Sequence, residues 1–591
     1  MKRIIIKISV IFTVLSILST GCSESNTGFL DPDLSSSLNR EIVFADSVYT
    51  YQYQASLYRY LGYTYFLDNA MVGGGLWSFH DIADGSRCVW TGSAQASHRW
   101  NMNTISDANE TRLRYHWRYP YENITRSNIF LANIDNTPLS QGKKDVLKAE
   151  TRFIRAWYYF HLLRLYGGTP VMGDKVYGIE EKMEEPRARF EDEVNYIVEE
   201  CDQIVGTLPA EQTGNDYGRI TSGAALALKA KVLLFAASPL SNGQVPTDDP
   251  VLKPILGYET YDVNRWKIAA DAAKAVIDLN RYQLIEDNAT APGYGFYRMQ
   301  IERVNPEYIF NLMKTSNRYN EELLLPASRG GEVYSSPYQS VADAFTMNNG
   351  KEITDPASGY DDLKMYENRD PRFYYTLLFD GAMWIPRAGS TVKERINFWK
   401  GAPTDGIGTS SSVTKTGYLF RKFCNENVSG ASGGNDNVFP FIRYAEILLS
   451  YAEALNEYDP TGSKTQIENV LFQIRRRAGI QPGADNRYGI PASYDQATMR
   501  DLIFKERRVE LLFEEGHRYF DLKRWKKLAE AKQEVNFYGI EWTNPAQGPQ
   551  TYNLFVLDTH HFDPNKQYYF PIPTPEIEMI GPALLPQNPG W

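Results

Sequence analysis

The segment Glu506-Arg-Arg-Val-Glu-Leu-Leu-Phe-Glu-Glu-Gly-His-Arg-Tyr-Phe-Asp-Leu-Lys-Arg-Trp525 joins two helical patterns at a glycine. Its first half continues a helix predicted over Met499–Phe513. Gly516 breaks the period, and His517–Leu528 resumes it. Arg507, Glu510, Glu514 and Arg518 in this segment read as a buried or half-buried ion-pair network.

Working outward, the same periodicity recurs. In Phe441–Leu455, residues Phe441, Tyr444, Ala445, Leu448, Leu449, Ala452 and Leu455 fall three and four apart, which builds one buried helix face. Pro440 stands at its start and Pro460 beyond its end, as helix boundaries prefer. Thr151–Tyr166 is apolar nearly all round, so it is expected to be buried on most sides, and Gly167-Gly-Thr-Pro170 stops it. Ala224–Ala237 is rich in alanine and lets neighbouring helices approach closely; Tyr261–Leu279 is a further helix. Helix–turn–helix pairs of related size suggest tetratricopeptide-like packing. Long irregular segments lie between them, at Gly73–Asn103, Asp287–Lys415 and Asn425–Asn437. Loops of that length in a compact protein are usually functional.

The chain has 591 residues, of which 43% are hydrophobic and 23% charged, enough to bury a sizeable core. A net charge of −10 without a basic stripe disfavours nucleic acid and anionic lipid surfaces as partners. The densest basic runs, Arg475–Arg477 and Lys523–Lys527, read as solvated helix faces with local ion pairs. Cys22, Cys88, Cys201 and Cys424 are too scattered for a zinc site or a disulfide framework.

Lys2, Arg3 and Lys7 precede a mostly apolar run, Ile8–Leu18, of signal-peptide length. Ser19-Thr-Gly-Cys22 follows and resembles a bacterial lipobox, which makes Cys22 the expected acylated residue and residues 1–21 the signal. Acyl chains would anchor the protein without a spanning helix.

Several blocks, in order, resemble the SusD/RagB family. They are Ala149–Pro170, Arg219–Lys231, Asn368–Phe373, Arg443–Asn456, Glu506–Trp525, and Phe570–Ile577 with Gln587–Trp591. The resemblance implies a mostly α fold, in which tetratricopeptide-like helix pairs support a large loop-rich face with few short strands. It implies one domain over residues 22–591, with an N-terminal part to about 240 and a C-terminal part from about 260. It also implies a lipid-anchored outer-membrane protein, exposed at the cell surface, that captures an oligo- or polysaccharide. Such a protein passes its ligand to a SusC-like TonB-dependent transporter, with the helical repeats facing the barrel. A receptor of the same fold for peptide or another non-sugar nutrient is the alternative.

Catalytic patterns are missing from the sequence: there is no G-x-S-x-G, H-E-x-x-H or Walker A. His560-His561 are adjacent and would point apart on a regular element, so no metal or cofactor is expected. A glycoside hydrolase would need two placed carboxylates, and none of the 72 Asp and Glu is singled out. A sugar receptor needs flat aromatic platforms and a few directed polar groups. Trp77, Trp90 and Trp100 are the expected platforms, with Asp81 and Arg87 bonding hydroxyls and Tyr294 or Tyr334 opposite.

Overall fold

The computed structural model describes residues 40–64, 79–89, 97–105, 111–178, 181–313, 318–410, 412–434 and 438–591. The helices that build the scaffold are α1 (Ser47–Arg59), α2 (Thr111–Asn133), α3 (Gln141–Tyr166), α4 (Phe190–Ile204), α5 (Ser222–Ala237), α6 (Asn264–Asp278), α7 (Tyr444–Tyr458), α8 (Lys464–Arg477), α9 (Gln496–Glu510) and α10 (His517–Arg524). From α2 to α8 each helix packs on the next, and α7 also packs on α9. This is the serial, tetratricopeptide-like arrangement expected from the recurrent helix pairs. Every residue of α3 from Phe153 to Tyr166 is buried, so α3 is the central rod. The alanines of α5 bring α4 and α6 close on either side. Its start is fixed by Thr221, whose side chain accepts from the Ala224 amide at 3.3 Å.

Each described sheet has two strands, which run six residues or fewer except in the ten-residue pair Gln533–Trp542 and Tyr552–His561. Those that matter here are β1 (Ser86–Cys88), β2 (Tyr308–Met313), β3 (Ser335–Pro337), β4 (Val438–Arg443), β5 (Gln533–Trp542) and β6 (Tyr552–His561). β1 pairs with β3, β2 with β4, and β5 with β6, all antiparallel. The helix expected to begin at Phe441 in fact begins at Tyr444; Phe441 and Pro440 belong to β4. The reason is burial. All six residues of β4 are buried, and a short apolar run enclosed on both faces carries no period that separates strand from helix. Pro440 fits because the sheet has two strands and needs no N–H from it on its other edge.

Beneath α7, α8 and α9 lies a buried ionic core. Arg443 donates to Glu307 at 2.7 Å, Glu510 at 2.8 Å and Glu514 at 2.6 Å. Arg477 bridges Glu307 and Glu510. Arg372 reaches Asp370, Glu506 and Glu510, Arg475 holds Glu506, and Lys422 meets Glu514 at 2.6 Å. Five carboxylates thus face five cations, and the cluster is neutral. Burial alone would raise the Glu510 pKa; the guanidinium groups of Arg477, Arg443 and Arg372 outweigh it and hold the carboxyl well below the usual range. Lys422 is pushed down to about 8 by burial, against the pull of Glu514. Removing one member would strand its partner without compensation, a cost of about 3–5 kcal/mol.

This core corrects the reading of the basic runs as solvated faces. Arg475 and Arg477 are buried, and Arg476 alone of the three is exposed. Lys523 and Arg524 are buried too, Arg524 on Glu453 and Asp521. Arg507 joins that second group through Asp521 at 2.9 Å, and Arg518 pairs with Asp84 at 2.6 Å. Glu515 of the same segment pairs with Arg164 at 2.8 Å and Lys231 at 3.3 Å, so the paired charges of residues 506–525 divide among four clusters.

Candidate ligand-binding site

β1 is three residues long, and its alternation turns Arg87 to the opposite side from the buried Ser86 and Cys88. Asp81 fixes the strand from below: it accepts from Ser86 Oγ and from Ser335 Oγ of β3, each at 2.7 Å. Arg87 Nη1 meets Asp558 Oδ1 at 2.5 Å, and Tyr338 Oη donates to Asp558 Oδ2 at 2.8 Å. The Arg87 side chain is 28% exposed and that of Asp558 5%, so the carboxylate is a buried strut under a guanidinium that reaches solvent. His98 Nδ1 lies 2.6 Å from Arg87 Nη1 and accepts from it. Partial burial and the Arg87 charge both lower the His98 pKa, which keeps the ring neutral. Lys415 lies near enough for burial and Arg87 to lower its pKa as well.

Among the described residues, Arg87 spends only Nη1 on protein acceptors. Nε and Nη2 are left to donate to something else. Asp558 already balances most of the charge, so the corner suits hydroxyl oxygens of a neutral ligand.

A second surface feature is aromatic. Tyr294 and Tyr375 are half-buried, with ring centroids 6.3 Å apart. Tyr375 stacks on the buried Tyr297 at 5.5 Å, and Arg421 lies over Tyr297, Tyr375 and Trp384. The outer rings are thus held rigidly, as a platform for a C–H face requires.

Arg87 and Tyr294 therefore occupy positions from which they can touch a ligand. Trp77, Trp90 and the acylation candidate Cys22 lie outside the described residues. The platform role expected of Trp100 is corrected: the ring is 1% exposed and packs on Phe570 and Trp591. Tyr334 is wholly buried in the same core, and Asp81 is a strand anchor with 1% exposure. Residues 79–89 and 97–105 are threaded beneath C-terminal elements: Lys532 bonds the Ile82 carbonyl and, at 2.7 Å, Asn101, and Gln567 bonds the Trp100 carbonyl at 2.7 Å. A tryptophan in a glycine-rich stretch is exposed only if nothing later in the chain covers it.

Asp558, His98, Lys415, Tyr375 and Arg421 were not foreseen. Asp558 lies 471 residues from Arg87 in sequence, and no local signal links them. His560 and His561 point apart, as expected of neighbours on a strand: His560 is buried against Phe537, and His561 pairs with Glu534 at 2.6 Å. Among the described residues, no cluster of three His, Cys, Asp or Glu is placed to hold a metal ion, and no helix is long and apolar enough to cross a membrane.

Comparison with known proteins agrees with this architecture. Residues 303–591 match the model of the SusD family, and residues 77–234 match a family described as starch-binding, associating with the outer membrane. The chain belongs to the SusD/RagB family. SusD-like protein P2 of Formosa agariphila is 23% identical over 486 residues, 80% of each chain. A SusD-like protein of Bacteroides ovatus is 24% identical over 521 residues, again 80% of each. Among solved structures, a SusD-like protein of Bacteroides fragilis superposes with a TM-score of 0.74 at 24% identity, covering 93% of this chain and 98% of its own. A structure named as a laminarin-binding SusD-like protein has a TM-score of 0.57 at 19% identity, covering 93% of this chain and 100% of its own.

Proposed function

We propose that the protein is a non-catalytic glycan receptor of the outer cell surface. It captures an oligo- or polysaccharide and delivers it to a SusC-like TonB-dependent transporter. Residues 1–21 act as the export signal, Cys22 carries the acyl anchor, and residues 22–591 form the receptor. The observation that carries the reading is the Arg87 corner, where a rigidly held guanidinium keeps unspent donors at the surface. The Tyr294–Tyr375 rings add an apolar face of the kind a sugar ring stacks on. The family description as starch-binding points to the same ligand class.

Calorimetry against a panel of neutral oligosaccharides tests this. The wild type is expected to bind at least one member and to leave it uncleaved. Arg87→Ala and Tyr294→Ala should each weaken that binding by about 2 kcal/mol, roughly thirty-fold; Tyr294→Ala should keep the melting temperature, whereas Arg87→Ala, which leaves the buried Asp558 carboxylate without its ion pair, should lower it and is measured below its own transition. Unchanged affinity in both variants would remove these residues from the site. A wild type that binds no glycan would redirect the search to peptides, and shortened oligosaccharides after incubation would overturn the non-catalytic reading.

A further inference from the structure

A cavity of about 1140 Å³ lies between α9 and the loops at 344–355 and 485–492. None of its lining residues belongs to the Arg87 corner or to the Tyr294 platform. Its volume reaches the upper end of ordinary small-ligand sites.

The cavity rests on the ionic core. Arg475, at its base, is tied down at two of its three nitrogens: Nε donates to Glu506 at 2.9 Å, and Nη1 to the carbonyls of Tyr488 at 2.9 Å and Gly350 at 3.3 Å. Its ion pair and carbonyl bonds fix Arg475 as part of the floor. Two other groups differ. Asp343 accepts one bond, from the Gln339 side chain at 2.8 Å, and is exposed to the cavity. Arg508 touches Asp84 at 3.2 Å with one nitrogen. Asp343 and Arg508 sense each other's charge, and among the described residues they do not pair directly. An acceptor and a donor thus face one space without closing on each other. Ile490, Pro491 and Val509 add apolar wall to the same space. Lys505 and Glu352 meet at 2.5 Å across the rim, tying α9 to the opposite loop.

These features select a ligand class. Charges of both signs line the space, so an anion or a cation would meet its own sign somewhere on the wall. A neutral molecule bearing several hydroxyls meets neither penalty. Each hydroxyl both donates and accepts, so neighbouring hydroxyls can bridge Asp343 and Arg508 while C–H faces lie on the apolar wall. We propose that this cavity is a second ligand site, which takes a short neutral saccharide independently of the Arg87 corner.

Saturation-transfer NMR with maltotriose, cellotriose and laminaritriose tests the proposal on the wild type and on Arg87→Ala, Asp343→Ala and Ala492→Trp. Asp343 and Ala492 are exposed, so both cavity substitutions should fold; unchanged melting temperatures check this. Arg87→Ala is expected to keep transfer from at least one trisaccharide. Asp343→Ala should weaken that signal at least ten-fold, and Ala492→Trp, which narrows the mouth, should do the same. Loss of all transfer in an Arg87→Ala protein whose circular dichroism matches that of the wild type would place every saccharide at the first corner and overturn the second site. Transfer that survives both cavity variants unchanged would also overturn it, as would none in the wild type. Transfer insensitive to Arg87→Ala but abolished by both cavity variants would support this site while removing the first.

Discussion

Glu193 is a carboxyl group with no room for its charge. It is wholly buried on α4 and accepts from the Thr169 amide at 2.6 Å and from Thr169 Oγ1 at 3.0 Å. Burial pushes its pKa up to about 8, although the Thr169 bonds and the Arg187 charge pull the other way. In the unfolded chain the ordinary value is 4.5. The folded protein therefore holds a proton that the unfolded chain releases between these two values. Stability from this group is complete below the unfolded pKa, falls as pH rises, and is lost once pH passes the folded pKa. The slope within the window approaches about 1.4 kcal/mol per pH unit. Glu193→Gln keeps an acceptor for the Thr169 amide and has no charge to bury. Melting curves at pH 5 and pH 8.5 should show a smaller drop for the variant than for the wild type. An identical drop in both proteins would assign the pH dependence to other groups.

At the scale of elements, the turn from α9 to α10 depends on Gly516. Its φ is +75°, and a Cβ there would sit 2.8 Å from the Cβ of Phe79. An L residue in this conformation costs roughly 1–2 kcal/mol before any clash. Gly214, with φ +59° and open space around it, carries the conformational cost alone. Gly516→Ala should therefore lower the urea midpoint more than Gly214→Ala does, and equal losses would show that Phe79 moves aside. This turn was legible in the sequence because glycine interrupts a helical period there. α3, α5 and the α7–α9 region were legible for the same reason: 3.6-residue patterning survives in a single sequence. The boundary at Pro440 was not, because β4 is enclosed on both faces and shows no alternation. Exposure at the candidate site was legible only in part. Arg87 and Tyr294 reach the surface, whereas Tyr334 is wholly buried and Trp100 is packed under C-terminal chain. Which rings are covered is decided by contacts hundreds of residues apart, such as the Gln567 side chain on the Trp100 carbonyl.

For the whole molecule, charge is sorted by depth. The basic runs that could have made a cationic face are largely spent inside, where five cations match five carboxylates. The net charge of −10 is therefore carried mostly outside that neutral core, and an acidic surface does not adhere to anionic headgroups. The membrane residence that the proposed function requires then needs a separate device. Burial of acyl carbons contributes about 0.8 kcal/mol per CH₂, and one chain alone holds a protein only marginally. A lipidated Cys22 with more than one chain would suffice alone; docking on a transporter would be a second, independent hold. The two holds are separable by deleting them in turn. Cys22→Ala in cells that keep the transporter should leave part of the protein with the membrane fraction, because docking remains. The same variant in cells lacking the transporter should appear in the soluble fraction. Wild-type protein in those cells should stay bound through a high-salt wash, since acyl burial is not screened by ions. If Cys22→Ala without the transporter still sediments after that wash, the anchor is not at Cys22. If the variant is released equally with and without the transporter, docking does not hold the protein by itself.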